Sequence, residues 1–75
     1  MPTRGMITNI NYVRGCGFIQ PDADPEGRPV YFEQTVVEET DFTELRFGEY
    51  VAYELYDEPP SLAELRAIRV IPDQP

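Results

Sequence analysis

Glycines alternate with larger side chains in Arg14-Gly15-Cys16-Gly17-Phe18-Ile19. In an extended strand with period two, Cys16 and Phe18 point to one face, and Gly17 and Ile19 to the other. A ring beside a small thiol, with a guanidinium just ahead of it, suits flat contact with an unpaired base while the cation meets a phosphate. Other chemistry finds little footing. The chain has no histidine, no paired nucleophile and base, no Gly-rich phosphate loop and no Cys/His cluster. Carboxylates are plentiful, but nothing in their spacing separates a catalytic pair from charge decoration. The expectation is a binding protein, not an enzyme, with no cofactor. Cys16 reads as a small half-buried apolar residue, since a reactive thiol needs a cationic or helix-N-terminal setting and only Arg14 is near in sequence.

One further pattern has ligand spacing. Asp22-Ala23-Asp24-Pro25-Glu26-Gly27, with Glu33 in twelfth place, copies a calcium-binding EF-hand loop. That loop needs helices on both sides, whereas Gly-rich and β-branched segments flank this one and Pro29 stiffens its middle. It reads as an acidic hairpin loop closed by Gly27, and no metal site is expected.

The elements that position these residues are short. "RGMITNINY" (4–12) is a β-branched strand in which Ile7 and Ile10, three apart, both face inward if a bulge intervenes. "GCGFI" (15–19) is the second strand and "QPDADPEGRP" is turn material. "VYFE" (30–33) is the third strand, with Val30 and Phe32 on one face and Tyr31 and Glu33 on the other. A long connection, with one helical turn near Asp41, runs to Gly48. "EYVAYELY" (49–56) is the fourth strand, with Val51, Tyr53 and Leu55 on one face and Tyr50, Ala52 and Glu54 on the other. Ser61-Leu62-Ala63-Glu64 fits a helix capping box. The β-branched ending of "LRAIRVI" before Pro72 instead favours a strand from about Leu65. Five short strands with Gly/Pro turns predict a small barrel, whose closure removes free edges.

The 75 residues form one domain, with a loose tail from about residue 72. A chain this short buries only about 60% of its unfolded surface and needs an economical core. No apolar run approaches the roughly 20 residues of a membrane span, and "MPTRGMITNI" carries no signal-like segment. With a single cysteine, the chain reads as a soluble cytoplasmic protein with no membrane partner. Six arginines and no lysine face fourteen acids, for a net charge of −8. Residues 1–32 balance three arginines against three acids. Residues 33–75 set three arginines against eleven and carry the whole excess. General attraction to phosphate is therefore not what drives binding.

In order along the chain, these segments resemble the cold-shock domain family. "TNIN" (8–11) and "RGCGFI" (14–19) are similar to that family's Lys-Trp-Phe-Asn and Lys-Gly-Phe-Gly-Phe-Ile. "VYFE" is similar to its Val-Phe-Val-His. Phe42, Leu45, Gly48, Val51 and Tyr53 fall on its Phe-x-x-Leu-x-x-Gly-x-x-Val-x-Phe, and Ala67 and Val70 on its closing Ala-x-x-Val. The resemblance implies an all-β, five-stranded antiparallel OB-fold barrel. It also implies binding of single-stranded RNA or DNA, with Phe18, Tyr31 and Phe42 at stacking positions, Arg14 at a backbone-holding position and Asn11 in place of the family's asparagine. The departures are Thr8 for a lysine, Asn9 for the tryptophan, Cys16 for a phenylalanine and Glu33 for the histidine. At about 1–3 kcal/mol per base stack, the two missing rings imply roughly 2–6 kcal/mol less affinity. Two readings follow. One is a barrel that binds single strands weakly. The other is an acidic interaction module that has lost nucleic acid and takes a basic protein partner instead.

Overall fold

A computed structural model describes residues 3–56 and 65–73. The capping-box segment, residues 61–64, and the last two residues of the tail lie outside the described residues. Five strands carry the fold: β1 (Thr3–Asn11), β2 (Cys16–Pro21), β3 (Val30–Glu33), β4 (Tyr50–Leu55) and β5 (Leu65–Pro72). They close into a barrel in the order β1-β2-β3-β5-β4. The connection from β3 to β4 holds two 3-10 turns, Gln34–Val36 and Phe42–Glu44, the second directly after Asp41.

The all-β barrel stands, with one correction. The sheet is mixed, because β3 and β5 run parallel through Val30 opposite Leu65 and Tyr31 opposite Arg66, while the other four pairings are antiparallel. Parity requires this. Strand directions cannot alternate all the way round a closed ring of five, so one neighbouring pair must run the same way.

Ile7 pairs with Ile19, and the next pair is Asn9 with Phe18, so Thr8 is the extra residue of a bulge. The bulge turns Ile10 back onto the core and sets Asn9 on the outer face opposite Phe18. Alternation then fills a narrow interior: Ile7, Ile19, Val30, Phe32, Val51, Tyr53, Ala67 and Val70 are all buried. A small barrel leaves just enough room for such side chains. Phe42 and Leu45 join them from the connection. Gly17 has no freedom to be larger. A Cβ there would lie 2.6 Å from the Asn9 carbonyl oxygen and 2.9 Å from the Phe32 ring. Leu55, expected to follow Val51 and Tyr53 inward, is exposed at the end of β4, where the ladder steps from Glu54–Arg69 to Leu55–Ala67 and skips Ile68.

Among the described residues no helix is long and apolar enough to cross a membrane.

Candidate nucleic-acid interface

Phe18 and Tyr31 are direct cross-strand neighbours on the outer face of β2 and β3. Their ring centroids are 5.7 Å apart at an interplanar angle of 66°, an edge-to-face pair. Phe18 is 36% exposed and Tyr31 is half-buried. The rings reach this face because Gly17 and Ile19, and Val30 and Phe32, take the inner one. An open groove of about 730 Å³ runs beside them, lined by Asn9, Asn11, Arg14, Cys16, Gly17, Phe18 and Tyr31. Four of the five residues singled out in the sequence thus share one concavity.

The fifth does not. Phe42, expected to stack, is 6% exposed and belongs to the core. It packs edge-on to Tyr12, with centroids 5.9 Å apart, and tilted against Phe32 at 6.0 Å. The 3-10 turn that follows Asp41 carries this ring into the core, so it offers no open face to a base.

Asn11 has a different task from direct contact alone. Its Oδ1 accepts hydrogen bonds from the backbone N–H groups of Val13 (3.1 Å) and Arg14 (3.0 Å), and its carbonyl accepts one from Gly15 N–H (2.9 Å). This is the side-chain-to-backbone closure for which asparagine suits turns. Gly15 completes the turn with φ of 72°, a left-handed conformation that glycine adopts without penalty. Asn11 therefore sets where Arg14 leaves the turn. Arg14 itself is exposed and makes no ion pair among the described residues.

Arg66 was missed by sequence reasoning. Through the parallel β3–β5 pairing it sits beside Tyr31, its guanidinium carbon 5.3 Å from the ring centroid. Its Nη2 lies 3.9 Å from Glu33 Oε1. The Glu33 carboxylate thus has a cation next to it, and its charge does not stand alone on the face. No local signal in "LRAIRVI" marks Arg66, because its neighbour is 35 positions away and on a strand of the same direction. Asn9 was counted as a loss, yet the bulge places it in the groove. Tyr12 was also overlooked. Its hydroxyl donates to the Leu45 carbonyl, tying the β1–β2 turn to the long connection. Arg46 is held at the same junction, donating to the carbonyls of Thr43 (2.6 Å) and Leu45 (3.0 Å).

Burial raises the Tyr31 phenol above its ordinary value, the nearby Cys16 and Glu33 groups add to this, and Arg66 opposes it. The hydroxyl therefore keeps its proton at neutral pH and can donate. It lies 3.4 Å from Glu33 Oε1. Elsewhere arginines are engaged away from the groove, Arg4 with Asp73 at 2.9 Å and Arg69 with Glu38 at 3.2 Å and Glu54 at 3.6 Å. The loop carrying Asp22, Asp24 and Glu26 is held by Gln20, whose Nε2 donates to the Asp24 and Gly27 carbonyls at 2.9 and 3.0 Å. Among the described residues no group of three or more metal-ligating side chains gathers there or elsewhere.

No family model matches the sequence, and no curated protein matches it. Among solved structures the chain is similar to "drosophila Unr CSD456", with a TM-score of 0.73 and 21% identity. The alignment covers 100% of this chain and 28% of that one. The order of strands and this superposition lead to one conclusion: the chain folds as a five-stranded OB-type barrel, like the part of that neighbour it overlays.

Proposed function

We propose that the protein binds single-stranded RNA or DNA weakly along the β2–β3 face. The observation that carries this is the placement of the outward-facing Phe18–Tyr31 pair and Arg14 along one open groove. Bases stack on Phe18 and Tyr31, Arg14 meets a phosphate, and Asn9 and Asn11 offer amide groups to base edges. Two stacks at about 1–3 kcal/mol each supply about 2–6 kcal/mol, which by themselves correspond to dissociation constants from tens of millimolar down to tens of micromolar. The barrel acts as a binding module, without chemistry on its ligand.

The reading as an acidic protein-binding module rests on net charge and on the departures at Asn9, Cys16 and Glu33. The cations nearest the rings, Arg14 and Arg66, argue for the strand-binding reading, as does the pairing of Glu33 with Arg66.

The test is a titration of the ¹⁵N-labelled protein with a short single strand, followed by amide shifts. Shifts confined to β2, β3 and the β1–β2 turn are expected at sub-millimolar strand. No movement of Phe18 and Tyr31 at that concentration overturns the reading.

A further inference from the structure

Glu33 and Arg66 stand at the edge of the stacking rings, and together they have the polarity of a base reader. Glu33 is two residues beyond Tyr31 on the same face of β3, about 7 Å along the strand. Its carboxylate rests against the Tyr31 hydroxyl at 3.4 Å, so it borders any heterocycle lying on that ring. The Arg66 guanidinium lies over the same ring, its carbon 5.3 Å from the centroid. Both side chains are close to half exposed, 45% for Glu33 and 43% for Arg66. Their mutual contact is long at 3.9 Å, and both this contact and that from Tyr31 fall on Oε1. A ligand edge can be accommodated by a small rotation of the Glu33 side chain.

A carboxylate is acceptor-only, and a guanidinium donor-only. Side by side they present two acceptors and then a donor. Unpaired bases on such platforms are read along their Watson–Crick edges. Guanine alone offers two adjacent N–H donors there, N1–H and the N2 amino group, followed by the O6 acceptor. Uracil and thymine place a carbonyl on each side of a single N–H, so one carboxylate oxygen would face a carbonyl oxygen. Cytosine and adenine each offer one amino donor next to a ring nitrogen acceptor, which a second carboxylate oxygen repels. We infer that the Glu33–Arg66 pair makes this platform prefer guanine, with the carboxylate taking N1–H and N2–H and the guanidinium donating to O6. The inference rests on the strand-binding reading and adds to it the base that is selected.

The experiment compares fluorescence anisotropy titrations of labelled thymidine hexamers carrying one central guanine, cytosine or adenine, or no substitution. The guanine strand is expected to bind about tenfold more tightly than the all-thymidine strand, the size of a good bidentate contact. Glu33→Gln, which swaps one acceptor for a donor, is expected to bring that ratio below about twofold. Arg66→Lys, which keeps the charge and loses the planar fork, is expected to lower it in part. The ratio is the readout, since Glu33→Gln also alters overall charge. Circular dichroism on both variants checks that the barrel is retained. Measurable binding of all four strands with a flat base preference, or with cytosine or adenine equal to guanine, overturns this inference and leaves strand binding standing. Binding of none of them overturns both.

Discussion

Arg66 lies against Tyr31 across the one parallel seam of the barrel, its guanidinium carbon 5.3 Å from the ring centroid. The pair couples the element that closes the barrel to the ring best placed for stacking. Arg14, in the β1–β2 turn, is the cation that lines the groove beside Phe18 and Tyr31. A chain of net charge −8 can in this way keep a small positive locus where a phosphate would pass.

Salt dependence follows from the one cation assigned to a phosphate, Arg14. Each phosphate neutralised on a single strand contributes about −0.7 to the slope of log K against log salt. Arg14 at one phosphate predicts a slope of about −0.7, and Arg14→Ala a slope close to zero. Titrations between low and moderate salt measure both. A slope several times steeper places the phosphate contacts outside this groove.

Alanine at Phe18 or Tyr31 should weaken strand binding by about 1–3 kcal/mol each. The two losses should not simply add, because the rings form an edge-to-face pair that each single change already breaks. A double-mutant cycle by anisotropy reads the coupling, expected at about 0.5–1.5 kcal/mol.

Phe42 should behave as the reverse of Phe18. Its ring is in the core, so Phe42→Ala is expected to cost about 3–5 kcal/mol of stability. That is a large share of the roughly 4–11 kcal/mol available to a domain this size. Urea unfolding measures it. Phe42→Leu should recover much of the loss and bind strands like the parent, an outcome incompatible with a stacking role.

Asn11→Ala removes the acceptor for two backbone N–H groups and should cost about 1–2 kcal/mol. Asn11→Asp keeps an acceptor oxygen and should restore most of that stability. If both variants unfold at the parent's urea midpoint, the turn does not depend on this side chain.

Alkaline stability should depend on Tyr53. Burial raises its phenol above the ordinary value, with Asp22 adding to the effect. Above about pH 10 the unfolded chain loses this proton while the native state keeps it, so stability falls as pH rises towards the raised native value. Below that range the contribution is fully present. Tyr53→Phe should flatten the decline above pH 10 and leave the slope below pH 9 unchanged, read from urea midpoints across the range. Tyr31→Phe, at a less buried ring also raised by burial, should flatten it less.

Local patterns determined much of this protein. Alternation in "GCGFI" and "VYFE" placed Phe18 and Tyr31 outward and Ile19, Val30 and Phe32 inward, and the Ile7–Ile10 spacing called for the bulge that Thr8 supplies. Period-two geometry acts over a few residues, so it can be read from a few residues. The tertiary structure alone decided three things. The closed ring of five strands forced one parallel seam, which brought Arg66 to Tyr31 and Glu33. The 3-10 turn after Asp41 drew Phe42 into the core, a choice between burial and exposure that depends on whether the barrel interior has room for another ring. The register of β1 against β2 across the bulge left Asn9, first read as a lost tryptophan, lining the groove. Each of these turns on packing between segments far apart in the chain, where neither spacing nor composition carries the information.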